Sequence, residues 1–377
     1  MDLLRRIALA LAAPVLAVVF ALAVSSVFLL LADASPLEAY SSMWSYGTRS
    51  DSLISMVNRA VPLYISGLAV AIGFKMGLFN IGVEGQYRIA AVGAAAVGAS
   101  VTLPPLLHVP LILVTAVVVG MAWVAIPAVL KVTRGVHEVI STIMMNAISV
   151  GLTAWLLANY LDRRSSETSL ILSTGLIPES GRFPSLNPVL EWLGLELRTG
   201  SNLQGFVVIA ALLGVAFYVV VWRTRFGYEL RASGVNASAA LVAGVNPKAM
   251  VLKTLFISGG LAGLVGMSQL LGFSYRYTTD FPVMYGFNGI AVALLGRNHP
   301  FGIALGALLF GFMDRSAQIL DLEGIPKEIV VIMQGVIVIS VVVAYELVRR
   351  YRQDQEQRAV TRELAATEGG AGAAAAA

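Results

Sequence analysis

The chain has 377 residues, of which 57% are hydrophobic and 13% are charged, and its net charge at pH 7 is +4. Soluble domains carry about 25% charged residues, so this composition excludes an ordinary soluble protein and indicates one that crosses a membrane many times. The small, dispersed positive charge argues against a nucleic-acid partner. Cysteine is absent and the three histidines lie far apart, so neither disulfides nor a metal site is expected.

Uncharged runs separated by basic residues predict an all-α, polytopic membrane protein with about ten transmembrane helices. The first run, from Ile7 to Ala32, is 26 residues long. The apolar core of a signal peptide has only about 7–15 residues, so we interpret this run as a retained helix. The predicted spans lie near 7–32, 60–78, 87–103, 109–130, 136–159, 203–222, 250–272, 283–296, 301–320 and 326–347. The Lys and Arg bias between loops places both termini in the cytoplasm.

The segment KMGLFNIGVEGQ, from Lys75 to Gln86, combines three glycines with polar side chains. Glycine lowers helix propensity, and a broken helix at membrane depth is tolerated where it faces a cavity or packed protein. Asn80, Glu84 and Gln86 are therefore candidate residues of a substrate pathway. The alternative is that Asn80 and Glu84 satisfy freed backbone groups or pair with Lys75 or Arg88.

Two more features lie in the middle of the chain. Asn146 is an amide within the fifth predicted span, where it serves either helix packing or the pathway. The segment 160–202 is long and polar, and the span order predicts that it lies outside, where it offers a surface for an external partner.

The loop 223–249 between two spans is predicted to contain a short helix. Asn236 is a suitable N-cap, Gly244 suits a left-handed helix end, and Pro247 is expected to stop the helix from restarting. The resulting helix of about two turns would lie at the inner membrane surface. A helix of this size can dock in a groove of another protein, so energy for transport is expected from a partner.

The segment YGFNGIAVALLGRNHPFG, from Tyr285 to Gly302, is the second site candidate. Phe287 and Asn288 pair a ring with an amide, which suits a planar polar ligand. Plain packing of Phe287 is the alternative, because aromatic side chains mostly serve cores.

LYISGLAVAIG (63–73) is similar to LFISGGLAGLVG (255–266), five predicted spans later. An odd number of spans per copy predicts a five-span inverted repeat, with halves near 60–159 and 250–347. The alternative is two similar Gly-rich helices. The polar, Ala-rich segment 352–377 is predicted to be a disordered cytoplasmic tail.

These motifs resemble the permease subunits of bacterial ABC importers for nucleosides and simple sugars. The resemblance rests on GLFNIGVEGQ (77–86), on YGFNGIAVALLGRNHPFGIALGALLFG (285–311) and on TRFGYELRASGVNASAALVAGVNP (224–247), which is similar to that family's coupling loop. It covers about residues 5–350. The FNIGVEGQ element is closer to the branch that works with lipoprotein nucleoside receptors than to ribose or branched-chain amino-acid permeases.

The resemblance implies a transmembrane permease domain over 1–351 in the bacterial inner membrane, surrounded by lipid. It implies a second, related permease chain, two ATP-binding cassette subunits and an external substrate-binding lipoprotein. Coupling to the ATPase then falls on four residues of the loop, namely Gly234, Asn236, Ala240 and Gly244. The sequence contains no G-x-x-x-x-G-K-[ST] phosphate loop. No catalytic residue or cofactor is therefore expected in this chain, and ATP would be bound by the partner subunit.

The expected function is import of nucleosides, with a simple sugar as the second choice. A carboxylate substrate is less expected, because no Lys or Arg is evident deep in the spans. An ion-coupled secondary transporter that uses Glu84 or Asp314, a membrane-embedded enzyme and a passive channel are the rival functions.

Overall fold

A computed structural model describes residues 3–163, 171–192, 194 and 201–375, and the regular elements within these ranges are helices. Helix α6 continues as a π-helical turn over Leu157–Leu161, and a second such turn, Leu270–Ser274, follows α12. The helices are α1 (Leu3–Leu31), α2 (Pro36–Gly47), α3 (Ser50–Lys75), α4 (Val83–Ser100), α5 (Pro105–Arg134), α6 (Glu138–Leu156), α7 (Asn187–Trp192), α8 (Phe206–Arg223), α9 (Arg225–Val235), α10 (Ala237–Val242), α11 (Pro247–Gly263), α12 (Met267–Gln269), α13 (Tyr285–Leu295), α14 (Pro300–Leu322) and α15 (Glu328–Ala375).

Among the described residues, seven helical stretches are long and apolar enough to cross a membrane, or eight if α1 and α2 form one bent span. The seven are Ser50–Lys75, Pro105–Arg134, Glu138–Leu161, Phe206–Arg223, Pro247–Ser274, Pro300–Leu322 and Glu328–Val348.

The predicted count of about ten spans is therefore not confirmed, although each predicted run coincides with a helix. Helix α4 begins with Glu84, Gln86 and Arg88, which lower its mean hydropathy. Helix α13 has 11 residues, about 16 Å against a hydrocarbon core of about 30 Å.

The chain divides into two compact units, Met1–Tyr40 with Gly324–Ala377, and Ser41–Glu323. In the first unit α1 packs against α15, and the hydroxyls of Ser26 and Tyr40 donate to the carbonyl of Leu22. Helix α15 continues to Ala375, so the segment predicted to be a disordered tail is helical up to that residue. Its Ala, Glu, Gln and Arg content explains this, because these residues have high helix propensity.

Helix α3 forms the core of the second unit, where it packs against α8, α11, α13 and α14. Its central residues from Ile65 to Ala71 are buried on every side, which explains why this stretch is apolar all round instead of on one face. Close packing of α5 on α11 also organises this unit. A Cβ on Gly120 would overlap the Gly259 carbonyl and would lie 3.0 Å from the nitrogen of Gly263. Such contacts between small residues let helix backbones approach closely.

Candidate functional site

The candidate site is built around the break between α3 and α4. Helix α3 ends at Lys75 and α4 begins at Val83. Gly77 lies in the left-handed region with φ +71°, a conformation that glycine adopts without steric strain. The break that the glycines predict is thus confirmed. It frees backbone groups that have no intrahelical partner and that must be satisfied within the protein.

Asn80 satisfies one of these groups from a fully buried position and bonds two side chains as well. Its Oδ1 accepts from the backbone nitrogen of Gly82 at 3.0 Å and from Nε2 of Gln86 at 3.0 Å. Its Nδ2 donates to Oε1 of Gln86 at 3.1 Å and to Oγ of Ser258 at 2.8 Å. Gln86 is 1% exposed. The two amides are therefore bonded to each other and to α11.

Asn146 approaches the same break from α6, and it is only half-buried. Its Oδ1 accepts from the backbone nitrogen of Gly85 at 2.8 Å, and its Nδ2 donates to the carbonyl of Ile81 at 3.0 Å. Its side chain therefore replaces backbone partners that a continuous helix would have supplied.

Glu84 joins the two short helices α4 and α13. One carboxylate oxygen, Oε1, accepts from the backbone nitrogen of Met284 at 2.9 Å, and the other accepts from that of Gly286 at 2.9 Å. Oε1 also accepts from the hydroxyl of Tyr87 at 2.9 Å. The carboxylate thus lies at the N-termini of both helices, where the helix dipoles stabilise negative charge.

Glycine is required at position 286 for this junction to form. A Cβ on Gly286 would overlap the backbone nitrogen of Glu84 and would lie 2.6 Å from its Cα. The N-terminus of α13 can therefore approach α4 closely enough for the hydrogen bonds of Glu84.

Phe287 and Asn288 lie in the first turn of α13 but play no part in that network. The ring of Phe287 is 39% exposed, and Asn288 is half-buried. Within the described ranges the Asn288 side chain makes no hydrogen bond. Unlike the amides of Asn80 and Gln86, it therefore remains available to a ligand.

Arg88 is one of the two basic residues that the sequence offers as a partner for Asn80 or Glu84, and in the structure it pairs with Glu84. It lies one turn after Glu84, and its Nη2 is 3.4 Å from Oε1 of that carboxylate. Its Nε is buried and has no hydrogen-bond partner in the described part of the chain. This i,i+4 pair of Glu and Arg is typical of a helix face. Sequence reasoning missed Tyr87 instead, whose hydroxyl donates to Oε1 of Glu84, although its spacing of three residues from Glu84 places both on one helix face.

The short helix of the predicted coupling loop is confirmed as α10. Asn236 caps it by accepting from the backbone nitrogen of Ala239 at 3.0 Å, Ala240 is buried at 4% exposure, and Gly244 ends it at φ +82°. The prediction for Pro247 is wrong. This residue begins α11, where the side chain of Asn246 supplies the N-cap, because a proline at the first helical position has no backbone N–H to leave unsatisfied.

Gly234, at the end of α9, lies directly against the end of α3. A Cβ on Gly234 would overlap the carbonyl of Lys75 and would lie 2.8 Å from the Cα of Met76. The end of α9 is therefore in close backbone contact with the segment that leads into the α3–α4 break.

The surface formed by the end of α9 and by α10 is apolar and exposed. Val235, Leu241 and Val242 are 89%, 63% and 91% exposed. Beside them lies a cavity of about 450 Å³ that Ala237, Leu241 and Pro247 help to line. Large exposed apolar side chains on a capped helix are typical of a protein contact surface.

Among the described residues no group of three or more His, Cys, Asp or Glu side chains is placed to hold a metal. The arrangement provides a hydrogen-bonded helix break among membrane-spanning helices and an exposed helix in mechanical contact with it. These features define a helical membrane permease subunit.

The chain belongs to the family described as branched-chain amino acid transport system / permease component, whose profile matches residues 52–342. It is 35% identical over 338 residues to the guanosine ABC transporter permease protein NupP of Bacillus subtilis, a match that covers 89% of this chain and 93% of that protein.

Two other relatives have similar coverage. The glucose ABC transporter permease protein TsgB13 of Haloferax volcanii is 32% identical, over 91% of this chain and 90% of that protein. The nucleoside ABC transporter permease protein NupB of Lactococcus lactis is 29% identical, over 88% of this chain and 90% of that protein. The expected family is thus confirmed. The chain is a multi-span permease subunit of an ABC importer in the inner membrane, a transport component and not an enzyme, and it works with ATP-binding subunits.

Proposed function

We propose that this permease forms half of a pathway by which nucleosides, delivered by an external substrate-binding lipoprotein, enter the cell. The observation that supports this most strongly is the 35% identity to a guanosine permease over 89% of the chain. A second, related permease chain would supply the other half of the pathway.

Within this pathway we assign solute contact to Phe287 and Asn288. The exposed ring offers a face for a nucleobase, and the amide offers both a donor and an acceptor. We assign Asn80, Gln86 and Asn146 to the layer behind the residues that contact the solute, because their polar atoms are already bonded at the α3–α4 break. Together they hold the first turn of α4 in place, so that α13 can present its own first turn.

The coupling role falls on Gly234, Asn236, Ala240 and Gly244, and the ATP-binding subunit docks on the exposed face of α10. Three properties support this assignment, namely the apolar exposure of Val242, the two capped ends of α10 and the contact of Gly234 with α3. ATP is bound and hydrolysed by the partner. The resulting movement of α10 switches access to the pathway from one side of the membrane to the other.

The coupling end is cytoplasmic in this proposal, as are both termini. Four basic residues lie within or beside the loop that holds α9 and α10, namely Arg223, Arg225, Arg231 and Lys248. Their position agrees with the excess of basic residues in cytoplasmic loops.

The five-span inverted repeat is part of the same proposal. In helix packing, α3 contacts α13 and α14, while α11 contacts α4 and α5. Exchange of α3 with α11, α4 with α13 and α5 with α14 turns the first set of contacts into the second. Short helices α4 and α13 are then equivalent, and Glu84 lies at their junction. If α4 and α13 each count as one passage beside the eight candidate spans of the described residues, the total is the ten that the sequence predicts.

Import of a simple sugar is the second candidate, because a glucose permease is 32% identical over 91% of the chain. Ion coupling through Glu84 is disfavoured, since its carboxylate already accepts from two backbone nitrogens and a hydroxyl. A proton or cation would have to displace these donors.

The test is uptake by proteoliposomes that hold the complete complex, with labelled guanosine and labelled glucose offered separately. We expect guanosine accumulation that requires ATP and the external lipoprotein and that an ionophore does not abolish. Accumulation of glucose alone would select the second candidate. Uptake that collapses with an ionophore while ATP is present would refute ATP-driven import.

A further inference from the structure

A polar cavity lies at the end of α3 opposite to the coupling segment. Its volume is about 380 Å³, within the range of ~300–1,000 Å³ that is typical of small-molecule sites. The first two turns of α3 line it, with the loop before α8, the π-helical turn Leu270–Ser274 and Arg315 of α14. Under the orientation of the proposed function, this end faces outside.

The walls of the cavity are fixed by hydrogen bonds. Asn58 donates through Nδ2 to the carbonyl of Asn202 at 2.7 Å and accepts through Oδ1 from the backbone nitrogen of Gln204 at 3.0 Å. The loop is therefore held against α3.

Arg315 is equally constrained. Its guanidinium donates to Oδ2 of Asp51 and to Oγ of Ser52, each at 3.2 Å. It also lies over the ring of Tyr46, 4.8 Å from the ring centre. Asp51 neutralises the charge of Arg315, so this pair adds no net charge to the cavity.

Several polar groups of the cavity remain open to a ligand. Gln204 is only 9% exposed, yet within the described residues its side-chain amide makes no hydrogen bond. The backbone of Gly272 leaves room for that amide, since a Cβ there would lie 3.0 Å from Cδ of Gln204. This amide is therefore available to hydrogen-bond a ligand that enters the cavity.

Two other groups add to this amide. Arg315 contacts one oxygen of Asp51, which leaves Oδ1 of that carboxylate free to accept from a hydroxyl. Phe273, also part of the lining, has a ring that is 69% exposed. The cavity therefore combines a carboxylate acceptor, an amide and an aromatic face.

We infer that this cavity is an outer receiving site for a neutral, polyhydroxylated solute, namely the ribose of a nucleoside with its base against Phe273. The internal pairing of Arg315 disfavours a phosphate, which would need an unpaired cation. Asp51 accepts from the ribose hydroxyls, and the amide of Gln204 both donates to them and accepts from them. The inference rests on the proposed function for its orientation and its solute class.

The experiment measures equilibrium binding of labelled guanosine to the complete transporter in nanodiscs, without the external lipoprotein. Gln204→Leu removes the open amide while the backbone bond of residue 204 remains. We expect about tenfold weaker binding, the effect of one or two lost hydrogen bonds. Asp51→Asn should weaken binding in the same direction. Asp280→Asn is the matched control, because that exposed carboxylate lies outside the cavity, and it should bind like the parent.

A second probe, 2′,3′-dideoxyguanosine, lacks the 2′ and 3′ hydroxyls of the ribose and keeps only the 5′ hydroxyl. The parent should bind it weakly, and Gln204→Leu should weaken its binding no further. Parent-like guanosine binding by both Gln204→Leu and Asp51→Asn overturns the inference. ATP-driven guanosine uptake by the parent distinguishes a failure of the receiving site from a failure of the proposed function. If uptake is present but the variants bind normally, only the receiving site is wrong, whereas absent uptake refutes the proposed function.

Discussion

Substitution of Gly234 by alanine should uncouple ATP hydrolysis from transport. The added Cβ would lie 2.8 Å from the Cα of Met76 and 3.0 Å from its carbonyl carbon, and it would overlap the carbonyl of Lys75. All three neighbours are backbone atoms, so no side chain can rotate away. The end of α9 must therefore shift from the end of α3.

The size of the effect can be worked out from this overlap. Overpacking of a close contact costs about 1–3 kcal/mol, and about 1.4 kcal/mol changes a population tenfold. That strain falls on the conformation in which α9 touches α3. We therefore expect about a tenfold drop in guanosine imported per ATP hydrolysed, and a larger drop for Gly234→Val.

The assay compares uptake and ATP hydrolysis in the same proteoliposomes. Gly151→Ala is the control, because a Cβ at this position in α6 would have no neighbour within 4 Å. Its ratio of uptake to hydrolysis should equal that of the parent. An unchanged ratio for both Gly234→Ala and Gly234→Val would refute mechanical coupling through this contact.

Three further outcomes are expected. Glu84→Gln replaces an acceptor by an N–H group that faces the backbone nitrogens of α13, so it should destabilise the permease by about 1–3 kcal/mol. Thermal unfolding in detergent measures this loss, and the control variant Asp280→Asn should melt like the parent. A melting temperature of Glu84→Gln equal to that of the parent would count against the junction. Asn236→Ala removes the cap of α10 and should weaken docking of the purified ATP-binding subunit several-fold, since a cap contributes about 1 kcal/mol. If the ATP-binding subunit binds this variant with the affinity of the parent, docking occurs elsewhere. Phe287→Ala should lower guanosine uptake at least fivefold. Its melting temperature should change little, because the ring is exposed. Normal uptake would show that Phe287 does not contact the solute.

Much of the fold was predictable because its signals are local. Long uncharged runs become helices in a membrane protein, as every backbone group must find its partner within the helix. The break at Gly77 and the cap at Asn236 depend on residues next to each other in the chain. The prediction for Pro247 was wrong because a proline that stops one helix and a proline that starts the next differ only in the residues after them.

The candidate site was less predictable, because its partners are distant in sequence. Asn80 was a candidate from its residue type, but its bond to Ser258 spans 178 residues. Glu84 likewise reaches nitrogens 200 and 202 residues later. The choice between a solute contact and a backbone partner depends on these long-range contacts, and sequence spacing carries no information about them.

The sequence alone was sufficient to predict the membrane class, the helical runs, the capped helix α10 and the family. Composition, hydropathy and short-range capping determine each of the structural features without reference to distant residues. Only the tertiary structure decided which polar side chains are already bonded and which remain open. It brought Glu84 to the start of α13, set Gly234 against α3 and enclosed the unpartnered amide of Gln204. Hydrogen-bond satisfaction is a property of packed neighbours, and packing is established only when the helices meet.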